Sequence, residues 1–400
     1  MRDPRLDKLA AVLVQYCAAV KKGDLVTIVG DPIAMKAVEA IYEAVLRAGG
    51  YPSYHPRSDN LQELKMRHGS DEQLVHVCPF EEYRLSKCDV LMVLICQSNT
   101  KFLGGIEAGK AVMAQASRRG LITMSLQRAA AGKMRYVLTE IPSHAAAQDA
   151  EMSLTDYSDW VYRAGMLHLP DPVAAWGKLH EQHETMRAYL RGRSILRFQA
   201  PASKGEHGER AHDGTDLTVD VAGQTWVSCA GRDNFPDGEV FSGPRGPQIP
   251  YGPHGVDGVV SFALPAIYRG RQVEGIRLKF VAGRVVEASA TKNEEYLIKL
   301  LDQDEGARGM GEIAIGTNYQ VKKYMNNTFF DEKIGGTFHL ALGAGLPESG
   351  NTNESAMHWD IVCDLRPNPA IPGSAGGTIH ADGELIQRDG KFVFRGWPGE

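Results

Sequence analysis

Six cysteines, at positions 17, 78, 88, 96, 229 and 363, are spread over 400 residues without a single Cys-x-x-Cys pair. A chain of this length buries a sizeable core without covalent staples, so the thiols read as reduced and packed like small hydrophobes. Nowhere do about 18 consecutive apolar residues occur, the length a helix needs to cross a bilayer. The opening "MRDPRLDKLAAVLVQYCAAVKKGD" has apolar residues at helical spacing but no continuous apolar core and no small-residue cleavage site, so it reads as a surface helix. Basic excess is missing as well: 44 Lys and Arg face 49 Asp and Glu, a formal net charge of -5. That argues against nucleic-acid binding, which needs cations gathered on one face to neutralise phosphates. Internal repeats and long low-complexity tracts are lacking too. These absences leave a soluble globular chain, expected in the cytoplasm.

Hydrophobic residues make up 43% and charged residues 23%, and the length exceeds what one core normally supports, so two domains are expected. The first half alternates strand and helix. "LVTIVG" reads as a strand, "PIAMKAVEAIYEAVLRAGG" as a helix closed by two glycines fit for a left-handed cap, and 51–55 as a second strand. "CDVLMVLIC" and "GLITMSLQ" read as further strands, flanking the helix-like "GGIEAGKAVMAQASRRG". Strands apolar on both faces and separated by helices predict an α/β domain, 1–196, around a covered parallel sheet. Polar and glycine residues then cluster in "FQAPASKGEHGERAHDGTD". Beyond them, short alternating runs with glycine turns predict a β-rich α+β domain, 197–400, with one clear helix, "NEEYLIKLLDQDEGA". The Pro- and Gly-dense "SGPRGPQIPYGPHGVDG" reads as a long ordered loop.

Two patterns bear on chemistry. "GGIEAGKA" (104–111) matches a phosphate loop, but Ala111 replaces the hydroxyl that would hold magnesium, and nothing downstream resembles its acidic partner, so nucleotide binding is set aside. The second pattern is dispersed through the β-rich half: Glu239 in "PDGEVFSGP", Glu312 in "GMGEIAIGTN", Glu332 and His339 in "TFFDEKIGGTFH", and His358 with Asp360 in "ESAMHWDIVCDL". Four carboxylates and two imidazoles are the inventory of two divalent cations sharing a carboxylate. On a strand, His358 and Asp360 face one side and Trp359 the other. An unpaired carboxylate opening the apolar strand "GEIAIGTN" is costly unless a cation or donor meets it. Separation along the chain leaves open whether the six groups converge.

The runs "LLDQDEGARGMGEIAIGTN", "NNTFFDEKIGGTFHLALGAGLPESG" and "NESAMHWDIVCDL", together with "PDGEVFSGP", "VEGIRLKF" and the N-terminal "LDKLAAVLVQYCAAVKKGDLVTIVG", resemble the aminopeptidase T / aminopeptidase S family of metallopeptidases. The resemblance spans nearly the whole chain. It implies a cytoplasmic metallo-aminopeptidase acting on short peptides, with a catalytic C-terminal domain and a homodimer enclosing the active site. It further implies two divalent metals, zinc or an exchangeable cobalt, manganese or magnesium, held by Glu239, Glu312, Glu332, His339, His358 and Asp360. Glu312 is expected to bridge the metals, and Glu332 to shuttle a proton. The family's tyrosine, seven residues after the first histidine, is replaced by Leu346, which donates no hydrogen bond; Tyr251 and Tyr268 are candidates for its role. That departure keeps two alternatives in view. One is hydrolysis of a non-peptide amide on the same site, and the other a single iron on His339, His358 and Asp360 in a ring-cleaving dioxygenase. A metal-stabilised scaffold without activity is the non-enzymatic alternative.

Overall fold

Apolar runs in the first half pair side by side as a parallel sheet. Strands β1 (Leu25–Gly30), β2 (Tyr51–Pro56), β3 (Val90–Ile95) and β4 (Arg135–Glu140) lie in the order β2-β1-β3-β4, and the short strand Asn234–Phe235 completes the far edge. Every pairing is parallel, so the chain returns between strands through helices. Helix α1 (Pro4–Ala11) precedes the sheet and starts where the Asp3 side chain accepts from the backbone N–H of Arg5, with proline at its first position. Between β1 and β2, α2 (Met35–Arg47) buries Ala37, Val38, Ala40, Ile41 and Val45, the stripe expected of a 3.6-residue period. Its end is set by the paired glycines. Gly49, at φ +82°, donates to Leu46 O and Gly50 donates to Val45 O, which satisfies two terminal carbonyls.

The computed structural model describes residues 3–202, 214–245, 255–268, 270–367 and 376–397. Tyr251, the middle of the Pro- and Gly-dense stretch and part of the polar cluster after residue 202 lie outside the described residues. Further helices of the first unit include α3 (Asp59–His68), α4 (Pro79–Lys87) and α5 (Arg119–Ala130). The last corrects an expectation, because "GLITMSLQ" is helical and not a strand. Four to eight apolar residues do not by themselves separate a strand from one face of a helix. Here the run continues into helix formers, and Arg128 ties the end of that helix to the carbonyls of Ser86, Cys88 and Lys133. The fourth strand is instead "RYVLTE".

Contacts divide the chain into two compact units, 1–177 with 231–236, and 178–230 with 237–400. The division at 177 falls inside helix Pro172–Leu190, whereas the texture of the sequence changes near 197, where antiparallel strands begin. Composition records the kind of secondary structure; it does not record which core a helix or a six-residue return joins.

Among the described residues the second unit holds two large antiparallel sheets and a two-stranded ribbon, 266–268 with 271–273. The larger runs in the order 284–289, 277–281, 256–261, 215–220, 195–200, 378–381, 384–388 and 391–392. The smaller contains β5 (Val227–Cys229), β6 (Glu239–Ser242), β7 (Met310–Gly316), β8 (Thr337–Gly343) and β9 (His358–Asp364), in the order β9-β8-β7-β6-β5. A single apolar core includes side chains of both sheets; Phe198 of the larger and Phe338 of the smaller stack with centroids 4.5 Å apart. No helix among the described residues is long and apolar enough to cross a membrane.

Candidate metal centre

Residues opposite one another across a ladder share a face of the sheet, as do alternate residues along a strand. Asp360 pairs with Ala341, and Ala341 with Glu312. One row further, His339 pairs with Val362 and with Ala314, which pairs with Phe241. His358 stands opposite Gly343, and Glu239 opposite Gly316. Five of the six expected groups therefore project from one face, while Val240, Ile313, Leu340 and Trp359 project from the other into the core. Alanine at 314 and 341 keeps the space between the polar groups clear.

Glu312 reaches this face through a bulge. Met310 pairs with Leu342, yet Glu312 pairs with Ala341, so Gly311 is an extra residue on β7. Were the ladder regular through Gly311, Glu312 would fall opposite Leu340 and aim into the core. Insertion of one residue reverses the alternation and re-aims every side chain beyond it. Only glycine fits: a Cβ on Gly311 would stand 2.0 Å from Ala344 O.

Distances confirm that the groups meet. His339 Nε2 lies 3.3 Å from Glu312 Oε1, 3.5 Å from Glu239 Oε2 and 4.0 Å from Asp360 Oδ1. His358 Nε2 lies 3.3 Å from Asp360 Oδ1 and 3.5 Å from Glu312 Oε2. The two oxygens of Glu312 thus address different imidazoles. His358 Nδ1 sits 2.8 Å from Ala344 O, and since a carbonyl only accepts, Nδ1 carries a proton, so Nε2, which faces the carboxylates, is the nitrogen that a neutral ring would offer to a metal. Glu239 Oε2 and Asp360 Oδ1 are buried without a hydrogen-bond partner. Carboxylate oxygens and imidazole nitrogens converging on a common point, two of the oxygens without a hydrogen-bond partner, fit a cation.

Lys333 supplies one fixed positive charge. Its buried ammonium donates to Glu239 Oε1 at 2.6 Å and approaches Glu332 Oε1 at 2.6 Å and Asp237 Oδ1 at 3.4 Å. Glu332 occupies the C-cap of the short helix Thr328–Asp331, outside the strand register, and groups with His339 and Asp360. Burial pushes the carboxyl groups of Asp237 and Glu239 up to about 7 and about 8 despite Lys333, and raises that of Glu332. Burial opposes the charged imidazoles too, but the neighbouring carboxylates outweigh it and raise His339 to about 9 and His358 to about 12. Asp360 is held down at about 2, its burial overcome by His358. By contrast the buried His183 is bonded on both nitrogens, to Ser228 Oγ and Thr317 Oγ1, and burial pushes it down to about 3. It has no free nitrogen to offer a metal.

All six expected groups lie in this cluster. Asp237 and Lys333 are additions that the sequence signalled only weakly: Asp237 stands two residues before Glu239, the same spacing as His358 and Asp360, and Lys333 follows Glu332 directly. Cys229 also groups with Asp237 and Glu239, but burial holds its thiol protonated. Tyr268 does not fit the missing tyrosine. Its ring packs on Trp359 with centroids 5.6 Å apart, on the core side of β9. Leu346 is half-buried at the start of the turn Pro347–Ser349 and presents no donor.

A carboxylate-rich face with two imidazoles, backed by an apolar core, is the donor chemistry of a metal-dependent protein. The family follows from comparison with known proteins: the model of the thermophilic metalloproteases (M29) matches residues 2–392, and the chain belongs to that family. Aminopeptidase 2 of Geobacillus stearothermophilus is 26% identical over 439 residues, covering 98% of each chain. Aminopeptidase T of Thermus thermophilus is 35% identical over 225 residues, half of each chain. The solved wild-type AmpT from Thermus thermophilus shares the fold with a TM-score of 0.79 and 24% identity, over 98% of this chain and 99% of that one.

Two substitutions test the arrangement. Gly311→Ala is expected to lower the thermal midpoint and to weaken divalent-cation uptake on the order of tenfold or more, because Glu312 loses its aim; equilibrium dialysis with metal analysis reads the change. Lys333→Met leaves three buried carboxylates without their ammonium. In chelator it is expected to cost about 3–5 kcal/mol in urea unfolding, and less once divalent cation is added.

Proposed function

We propose that this chain is a metal-dependent aminopeptidase that hydrolyses the N-terminal amide bond of short peptides in its second unit. The names of its full-length relatives support the activity. The observation that carries the site is its charge. Among the described residues five carboxylates, Asp237, Glu239, Glu312, Glu332 and Asp360, cluster around one ammonium, Lys333. With both imidazoles neutral and all five carboxylates ionised, as bound cations would make them, four negative charges would remain, which is the charge of two divalent cations. Glu239, Glu312, Glu332, His339, His358 and Asp360 would hold them. Imidazole with carboxylate suits zinc, and cobalt or manganese as substitutes. Such cations supply a lowered pKa for water and polarisation of the scissile carbonyl.

The protein's own groups then have separable tasks. Glu312 spans the two halves of the site, one oxygen toward His339 and the other toward His358. Ala344 O fixes the orientation of the His358 ring. Lys333 holds Glu239 and Glu332 in place by one oxygen each. Glu332, off the strands and of raised pKa, is placed to accept a proton from the attacking water and return it to the leaving amine.

Exhaustive chelation is expected to abolish turnover of aminoacyl anilides and dipeptides, and zinc, cobalt or manganese to restore it; hydrolysis by protein shown to be metal-free would sink the mechanism. Asp360→Asn is expected to lower kcat at least on the order of a hundredfold, since outer partners of metal ligands alone cost up to that much. Its bound metal, measured by emission spectroscopy, should fall in parallel.

A further inference from the structure

The parallel sheet of the first unit is covered unequally. Along β3, Val90, Met92 and Leu94 are buried, whereas Leu91, Val93 and Ile95, on the opposite face, are only half-buried. The three helices beside that face hold it thinly: α3 buries Asp59, α4 Leu85 and α5 Leu121, against five side chains buried by α2. Between them lies a cleft of about 690 Å³, inside the range of roughly 300–1,000 Å³ typical of small-molecule sites. Its apolar lining includes Val29, Leu91, Val93, Met134 and Tyr136. Leu61, Phe80 and Leu126, which also line it, are 66%, 85% and 55% exposed.

Its charge is one-sided. Arg57, Lys65, Arg84 and Arg118 line the cleft, with Glu81 as the one acidic lining residue. Glu81 takes Arg118 at 2.7 Å and sits 3.9 Å from Arg84. Even with the buried Asp59 near Arg57 counted, the cations remain in excess. Arg84 Nη1 is buried without a hydrogen-bond partner, so Glu81 does not satisfy this guanidinium fully.

We propose that this cleft binds an amphipathic anion: one carboxylate, sulfonate or phosphate head on an apolar or aromatic body. The head meets Arg84 and its neighbouring cations; the body covers Leu91, Val93 and the exposed side chains at the mouth. A neutral apolar ligand would leave the excess of lining cations without a counter-charge, and the flat face of a second protein would not reach the half-buried side chains of the sheet. Every lining residue falls between 29 and 136, inside the first unit, and none belongs to the metal cluster.

Calorimetric titration of the full-length, metal-loaded protein with dodecanoate below its micellar concentration is the test, with 1-dodecanol as the neutral control and anilinonaphthalene sulfonate as a competing probe. The expected result is saturable single-site binding, displaced by the sulfonate and absent for the alcohol. Arg84→Gln should weaken it about tenfold or more, the scale of one charge-assisted hydrogen bond. Val93→Trp should obstruct the floor of the cleft and weaken binding about tenfold or more, with peptide hydrolysis unchanged in both variants. Equal binding of alcohol and acid, or binding indifferent to Val93→Trp, overturns the proposal. So does a wild-type protein that binds neither probe but whose sedimentation shifts on Val93→Trp, which would assign the face to a second copy of the chain.

Discussion

Five carboxylates gathered in a largely buried cluster, three of them on one sheet face, are the constraint on which the second unit is built. Ionised carboxylates in a protein interior are costly unless cations meet them, and partial neutralisation by a single lysine does not suffice. Lys333 and the two imidazoles organise the cluster, and the remaining charge calls for divalent cations. The same low dielectric that makes the unpaired cluster expensive makes its interaction with a bound cation strong. Affinity for metal and stability of this region are therefore two aspects of one electrostatic balance.

The sheet answers that constraint by division between faces. One face of β6 to β9 is apolar and continuous with the core, so the backbone beneath the polar groups is rigid. The other face carries the polar groups at register positions, spaced by alanines and glycines. Gly311 converts what would be an in-facing carboxylate into an out-facing one, at the cost of a position that tolerates no side chain. Glu332 and Lys333 come from a turn instead of a strand, and that freedom from register suits groups that must approach others from the side. The first unit solves a simpler problem less completely, since the helices over one face of its sheet leave apolar side chains and an excess of arginine facing a cleft.

Much of this was legible from residue order. Alternation placed His358 and Asp360 together with Trp359 opposed, because a strand has a fixed period of two. Paired glycines after α2 announced its left-handed end, because few other residues take positive φ without strain. Where the residues had no such local rule, reading failed or stopped short. "GLITMSLQ" suits a strand or a helix equally, and the outcome rested on the hydrogen bonds of Arg128 and on a better strand being available at 135–140. Lys333 carries no local sign of its burial; its place among three carboxylates depends on Asp237 and Glu239, nearly a hundred residues away.

By itself the sequence determined the kinds of structure in each half, the donor atoms suited to a metal and the resemblance that joins them to a family, since all three reside in residue type and short spacing. Tertiary structure alone decided that Glu239, Glu312, Glu332, His339, His358 and Asp360 share one place, that Gly311 turns Glu312 toward them, and that Lys333 and Asp237 belong with them. It also decided that Tyr268 lies on the wrong face of β9 to replace the absent tyrosine. The reason is physical: periodicity states which side of its own strand a residue takes, whereas convergence depends on the pairing register between strands, which is fixed only when the core closes.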